Sequence, residues 1–314
     1  IAARGHRAVA LPPREAGTAT AFDPAAPAHA RWLGTNWAVD AQDSREALAG
    51  AVVEWLVVDH YALDRRWEQA MRPGCRRLLA IDDLADRPHD CDLLLDQNLG
   101  RGAEDYHDLL PPGAQTLIGP RYALLRPEFA ALRTESLARR ERPQFRHLLV
   151  TMGGVDKDDA TGAVLDALDG CDLPPDLRIT VVMGPHAPWL RQVQARAATM
   201  SRPTRVLAGV SDMARLMTEA DLAIGAAGST SWERCCMGLP TIQLVLAENQ
   251  RALAMALEEA GAAVIATDAS QVADLLRAKL SPGTMPEFLR TLSLAAACVS
   301  DGGGGMRVRH HVAA

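Results

Sequence analysis

Short apolar runs, each closed by a polar or glycine residue, recur along the chain at intervals that helices or loops would fill. Val52-Val53-Glu54-Trp55-Leu56-Val57-Val58-Asp59 is almost continuously apolar, as expected of a strand covered on both faces of a parallel sheet. Leu78-Leu79-Ala80-Ile81-Asp82 and Asp92-Leu93-Leu94-Leu95-Asp96 have the same character, and Gln115-Thr116-Leu117-Ile118-Gly119 is a fourth, shorter strand. The first three end in an acidic residue, at the carboxyl edge where open α/β sheets carry their ligand residues. Upstream, Ala8-Val9-Ala10-Leu11 reads as a strand ended by Pro12-Pro13. Ile1-Ala2-Ala3-Arg4-Gly5 reads as the last turn of a helix stopped by Gly5. A chain opening on a helix end is expected to have lost what preceded it.

Residues 126–143 are helical and charged, and mark a linker. Beyond them the alternation resumes. Strands are expected at His147–Met152, Arg178–Met183, Arg205–Leu207, Asp221–Gly225 and Thr241–Leu246. Helices are expected at Asp158–Leu168, Pro188–Ala198, Ser211–Glu219 with Ser211 as N-cap, Trp232–Met237, and Arg251–Ala260 stopped by Gly261. Strand–helix alternation on both sides of a linker predicts two α/β domains facing across a cleft. Gly302 to Gly305 reads as a flexible turn before a last short helix rather than a phosphate loop, because no buried strand precedes it.

Composition narrows the function classes. The 314 residues are 48% hydrophobic and 23% charged, which is globular, and length alone favours two domains. Aromatics are 4%, so the cores must be aliphatic. The formal charge of -6, with no basic stripe, argues against a general nucleic-acid binder. Lysine occurs only at 157 and 279, so arginine carries almost all the positive charge. No apolar run is long enough for a membrane helix, and no secretory signal is read at the N-terminus. The cysteines at 75, 91, 171, 235, 236 and 298 include no CxxC pair, and the histidines are scattered, His310-His311 lying in the tail. A reduced, cytoplasmic setting without a metal site is expected.

Two glycine-rich turns pass from strand to helix: Met152-Gly153-Gly154-Val155-Asp156, and Gly225-Ala226-Ala227-Gly228-Ser229-Thr230-Ser231-Trp232-Glu233. Glycine lets the backbone approach a ligand closely, helix starts favour anions, and Ser229, Thr230 and Ser231 add hydroxyls. Together they suit a diphosphate, although each alone also reads as a tight, well-capped turn. Neither has the Walker A or GxGxxG spacing, which turns the reading away from ATP and NAD. Glu233 is placed to accept both hydroxyls of a ribose, or to face the helix dipole at the surface. Glu248, Asn249 and Gln250 suit a sugar's hydroxyl and amide groups, or a polar cap. Asp59-His60-Tyr61, Asp82-Asp83 and Asp96-Gln97-Asn98 end strands on one edge. There His60 is a candidate base or a solvated histidine, and Tyr61 reaches toward a cleft.

In order along the chain, the segments 57–64, 81–87, 94–98, 119–126, 211–214, 228–236 and 248–250 resemble the UDP-sugar hydrolase family of pseudaminic acid biosynthesis. They read VVDHYALD, IDDLADR, LLDQN, GPRYALLR, SDMA, GSTSWERCC and ENQ. The second half is also similar to the lipid-II-forming N-acetylglucosaminyltransferase. The resemblance implies an α/β, GT-B-like fold of two Rossmann-like parallel-sheet domains, the first lacking its first strand. Residues 1–135 would be the sugar-side and catalytic domain, 144–298 the UDP-binding domain and 299–314 a tail.

It implies hydrolysis of UDP-2,4-diacetamido-2,4,6-trideoxy-β-L-altropyranose to the free sugar and UDP, by water attack with inversion. The implied partners are the UDP-sugar and UDP. No metal or organic cofactor, nucleic acid, membrane or obligatory protein partner is implied. Gly153, Gly154, Gly228, Ser229 and Thr230 would hold the nucleotide, Glu233 its ribose, and Val210 and Met213 its uracil. Tyr61, Asn249 and Gln250 are the sugar-side candidates. The family's Gly-x-Gly-His-x-x-Arg segment, whose histidine is the base, has no counterpart in this sequence. His60 is therefore the fallback base, and the chain is expected to be an N-terminally truncated member. A UDP-sugar glycosyltransferase and a non-catalytic UDP-sugar binding module are the alternatives.

Overall fold

A computed structural model describes residues 5–12, 26–281 and 283–313. The chain divides into two compact units. The first runs to Tyr122 and regains the chain from His310, and the second is Ala123–Arg309. The expected helix end at residues 1–4 and Pro13 lie outside the described residues.

The first unit contains α1 (Trp37–Leu48), β1 (Val53–Val58), α2 (Arg65–Met71), β2 (Cys75–Ile81), β3 (Leu93–Asp96) and β4 (Gln115–Ile118). The strands form one parallel sheet in the order β1-β2-β3-β4. Asn36 caps α1 by accepting from Val39 N at 2.8 Å, and Asp64 caps α2 through Arg66 N at 2.9 Å. Trp67, Met71, Leu78, Leu94 and Tyr106 make the core between helices and sheet.

Two expectations are corrected here. Ala8–Leu11 forms no strand, and its Val9 and Leu11 are exposed. β1 is not buried on both faces. Among the described residues it pairs only with β2, so Val58 enters the core while Glu54 and Val57 stay in solvent.

The second unit contains α3 (Pro127–Arg140), β5 (His147–Thr151), α4 (Ala160–Asp169), β6 (Arg178–Met183), α5 (Leu190–Ala197) and β7 (Thr204–Ala208). These are followed by α6 (Met213–Glu219), β8 (Leu222–Ala226), α7 (Thr230–Cys236), β9 (Thr241–Leu244), α8 (Arg251–Glu259), β10 (Val264–Ala266), α9 (Ala269–Lys279), α10 (Thr284–Val299) and the start of α11 (Gly304–Ala313), whose residues from His310 on belong to the first unit. Six parallel strands lie in the order β10-β9-β8-β5-β6-β7. Every residue of β5, β8 and β9 is buried, as continuous apolar runs predict for strands covered on both faces.

The helix read as a linker belongs to the second unit. α3 buries Phe129, Ser136 and Arg140, and Arg140 donates to the carbonyls of Met217 and Ala220 at 2.7 and 3.0 Å, closing the end of α6. Asp212, not Ser211, caps α6, because its carboxylate reaches Arg215 N at 3.1 Å. The segment after Val299 is packed rather than a loose tail. A Cβ on Gly302, whose φ is +79°, would lie 2.8 Å from Cys236 Sγ and 3.1 Å from Ala130 Cβ. In the first unit, Trp55 Nε1 donates to Val312 O at 2.8 Å.

Candidate functional site

In the second sheet the chain builds outward from β5 through β6 to β7, then crosses back to lay β8 on the other side of β5. The strand order therefore reverses between β5 and β8, the position at which open α/β sheets leave a crevice at their carboxyl edge. The two glycine-rich turns leave from these two neighbouring strands, with Thr151 paired to Gly225 just before them.

Gly153 sits at φ +92°, a conformation side chains resist, and both Gly153 and Gly154 face open space where a Cβ would be. A Cβ on Gly184, which follows β6, would collide with Gly154 O, so that glycine is required by close backbone approach. The sequence reading did not single it out.

The helix start behind the first turn is not free for an anion. Asp156, buried and at φ +46°, accepts from Ala160 N and Thr161 N, both at 2.9 Å. Asp159 accepts from Gly162 N at 3.1 Å. These carboxylates already satisfy the first N–H groups of α4 and place negative charge there. The first turn thus contributes its glycine backbone, not a helix dipole.

The second turn differs. α7 begins at Thr230, two residues earlier than expected, and Ser229 makes no side-chain cap. Gly228 faces open space, Ser229 is exposed and Thr230 half-buried, so these groups are presented outward. Glu233 is half-buried and its carboxylate makes no hydrogen bond or ion pair with the described residues. Burial pushes its pKa up, against the pull of Arg126 and Arg234. Arg126 itself donates to Ser211 O at 2.8 Å and pairs with Glu128 at 3.0 Å.

Beneath this turn lies Arg234, 1% exposed. Its Nη2 donates to Ala226 O and Ser231 Oγ, both at 2.9 Å, and Nη1 to Thr230 Oγ1 at 3.3 Å. Ser231 Oγ also receives Gln243 Nε2 at 3.1 Å. Arg234 Nε and Gln243 Oε1 are buried without a hydrogen-bond partner. Burial draws the Arg234 pKa down to about 10, so the guanidinium remains charged at neutral pH. In the sequence Arg234 is only one residue of the GSTSWERCC segment; nothing in a linear sequence marks an arginine as buried.

Val210 and Met213 are half-buried and pack against the cluster of Phe129, Leu149, Val182 and Ala214. They stand after β7, two strands from β5. Gln250 turns back on its own loop, its Oε1 accepting from Leu246 N at 3.0 Å, which is the polar-cap alternative. Asn249 is exposed after β9. Glu248 is committed to Arg251 at 3.1 Å.

His60 and Tyr61 lie in the first unit. His60 Nδ1 accepts from Ala62 N at 3.1 Å, so in the neutral ring the proton sits on Nε2 and the basic lone pair is already engaged. Tyr61 OH donates to Asp83 Oδ2 at 3.0 Å, which together with burial raises its pKa well above that of a free phenol. Tyr61 also meets His29 at a tilt and Trp32 edge-on, ring centroids 5.6 and 5.7 Å away.

Asp82 and Asp96, placed at the ligand edge by sequence, point inward instead. Asp82 binds Arg87 Nη1 at 2.6 Å and Tyr106 OH at 3.2 Å, and Asp96 binds Tyr106 OH at 2.9 Å and Asn98 N at 2.7 Å. Burial pushes the Asp96 pKa up to about 6. The described residues hold no group of three or more His, Cys, Asp or Glu arranged for a metal, and no helix long and apolar enough to cross a membrane.

Comparison with known proteins agrees with this layout. Residues 147–292, which span β5 to α10, match the glycosyltransferase family 28 C-terminal domain. The spore coat polysaccharide biosynthesis protein SpsG of Bacillus subtilis is 33% identical over 146 residues, 46% of this chain and 42% of that protein. The UDP-2,4-diacetamido-2,4,6-trideoxy-β-L-altropyranose hydrolase of Campylobacter jejuni is 26% identical over 209 residues, 66% of this chain and 72% of that protein. The chain spans well under two thirds of the first relatives it matches: 42% of SpsG and 41% of an uncharacterized protein of Methanocaldococcus jannaschii that is 26% identical over 62% of this chain. In fold, the crystal structure of MurG from Acinetobacter baumannii aligns with a TM-score of 0.60 at 18% identity, covering 88% of this chain and 76% of that one. The two parallel-sheet α/β units are of the GT-B type.

Proposed function

We propose that this chain acts on a UDP-sugar, and that its reaction is hydrolysis of UDP-2,4-diacetamido-2,4,6-trideoxy-β-L-altropyranose to the free diacetamido-trideoxy-L-altrose and UDP. The observation that carries the reading is the pair of glycine turns leaving adjacent strands β5 and β8 where the strand order reverses. The match of residues 147–292 to the family 28 domain and the similarity to the Campylobacter jejuni hydrolase supply the substrate class.

In this reading Gly153 and Gly154 bring backbone close to the nucleotide, while Gly228, Ser229 and Thr230 hold the diphosphate. Glu233 accepts from the ribose hydroxyls, and Val210 and Met213 border the uracil. On the second unit exposed Asn249 is the sugar-side residue, and Gln250 joins it only by leaving its bond to Leu246 N. As the glycosidic bond to the diphosphate breaks, negative charge grows on the departing oxygen. Donors already aimed at that position lower the barrier without reorganising. Water attacks the anomeric carbon from the opposite face and inverts it, and no step calls on a metal or organic cofactor. His60 would have to break its bond to Ala62 N to serve as base, which makes it a weak choice.

A second reading, transfer of the sugar to an acceptor, is favoured by the family 28 match, since that domain is named for glycosyltransferases. A proton NMR time course with the UDP-diacetamido-altrose separates the readings. Free sugar and UDP rising together in water alone establish hydrolysis. UDP released only with an added acceptor establishes transfer. Substrate signals that broaden without conversion leave a binding module, and unaltered signals remove the UDP-sugar reading.

A further inference from the structure

The second unit buries two arginines, each with its Nε unpartnered, and they differ in what their remaining donors meet. Arg140 has no carboxylate in contact, but its Nη2 meets the carbonyls of Met217 and Ala220 at the end of α6, where the helix dipole is negative. Burial and the neighbouring Arg139 still draw its pKa down to about 9. Arg234 folds back onto the first turn of its own helix and meets Thr230 Oγ1, Ser231 Oγ and a single carbonyl, Ala226 O. No carboxylate comes within ion-pair distance among the described residues. Glu233, adjacent in sequence, acts on it only from a distance. Its Nε has no partner, and neither does the nearby Gln243 Oε1.

Uncompensated buried charge is costly, and a structural role alone would be met as well by an apolar side chain of similar volume. The guanidinium presses against the turn: a Cβ on Gly225 would lie 2.6 Å from its Nη1. Its bonds hold Ala226 O, Thr230 and Ser231, while Gly228, Ser229 and Thr230 turn their other side outward.

We infer that Arg234 is a positioning residue for the diphosphate: from beneath the turn it fixes the shape of residues 225–231 and supplies the buried positive charge that selects an anionic ligand on the outer side. The inference rests on the reading that this turn takes the diphosphate of a UDP-sugar. Arg234 touches no ligand; it acts through the backbone and hydroxyls it holds.

The test compares UDP with uridine, which lacks the phosphates, by titration of the full chain. The unaltered chain should prefer UDP. Arg234→Gln should raise the UDP dissociation constant about tenfold and leave uridine binding unchanged, while Arg234→Lys, which keeps the charge, should retain most of the preference. Gln243→Glu provides a reading that does not depend on tolerance of substitution at Arg234. It sets a carboxylate against Ser231 and the guanidinium, so it should preserve or raise the melting temperature and still weaken UDP relative to uridine.

Equal losses for UDP and uridine in Arg234→Gln would reduce Arg234 to a structural part and overturn the inference. Undiminished UDP binding in a folded Gln243→Glu chain would overturn it as well. An unaltered chain that binds neither ligand would instead strike the functional reading itself, and the inference with it.

Discussion

His89 Nδ1 lies 2.7 Å from Glu68 Oε1 in the first unit, with both side chains sealed from solvent, and its Nε2 faces Asp82 Oδ2 at 3.7 Å. Burial disfavours the imidazolium, but Asp82 and Glu68 override it and hold the His89 pKa up at about 9. The folded chain therefore keeps a proton that the unfolded chain releases near 6.5. Stability from this group is complete below pH 6.5 and is lost as pH rises through about 9. Urea denaturation between pH 6.5 and 9.5 should show a decline approaching about 1.4 kcal/mol per pH unit. His89→Gln should flatten that slope; a wild-type curve level over the range would refute the pairing.

Glu233 is the residue on which the nucleotide reading is most exposed to test. Its carboxylate makes no bond within the second unit, so removing it leaves no orphaned partner. Glu233→Ala should leave the melting temperature close to wild type and weaken UDP by roughly tenfold to a hundredfold, the worth of a charge-assisted hydrogen bond. Undiminished UDP affinity would withdraw the ribose assignment.

Asp156 bonds two N–H groups at the start of α4 from a left-handed backbone position. Asp156→Ala loses both and keeps the unfavourable φ, for a cost of about 1–2 kcal/mol. Asp156→Asn, which retains an acceptor and tolerates the conformation, should lose less. Thermal denaturation of the two variants checks the order.

Gly302 is held between Cys236 and Ala130 at positive φ. Gly302→Ala should therefore destabilise the second unit by about 1–3 kcal/mol, through both strain and overpacking. A melting temperature equal to wild type would mean that the segment after Val299 is not packed as described.

The central strands of the second sheet were legible because burial on two faces writes itself into the chain as unbroken apolar runs, whereas the apolar run Ala8–Leu11 forms no strand and the short β10 carries no such signal. β6 has the bounds its residues predict, and β5, β8 and β9 are as buried as their composition requires. Glycine turns were legible too, since the chemistry that permits φ near +90° at Gly153 belongs to that residue alone. Neighbourhood was not. That β8 lies beside β5, bringing residues 153 and 228 to one reversal of strand order, follows from long-range pairing that no local period records. The same holds for side-chain direction. Asp82 and Asp96 end their strands as read, but Arg87 and Tyr106, in the loops that follow, draw them inward. Arg234 stands in a recognisable segment, yet only the packed unit shows its charge buried without a counterion. Sequence by itself determined the buried central strands and the tight turns, because each depends on a residue and its near neighbours. Tertiary structure decided which polar groups face a ligand and which are spent inside, because that depends on partners the chain brings together only by folding.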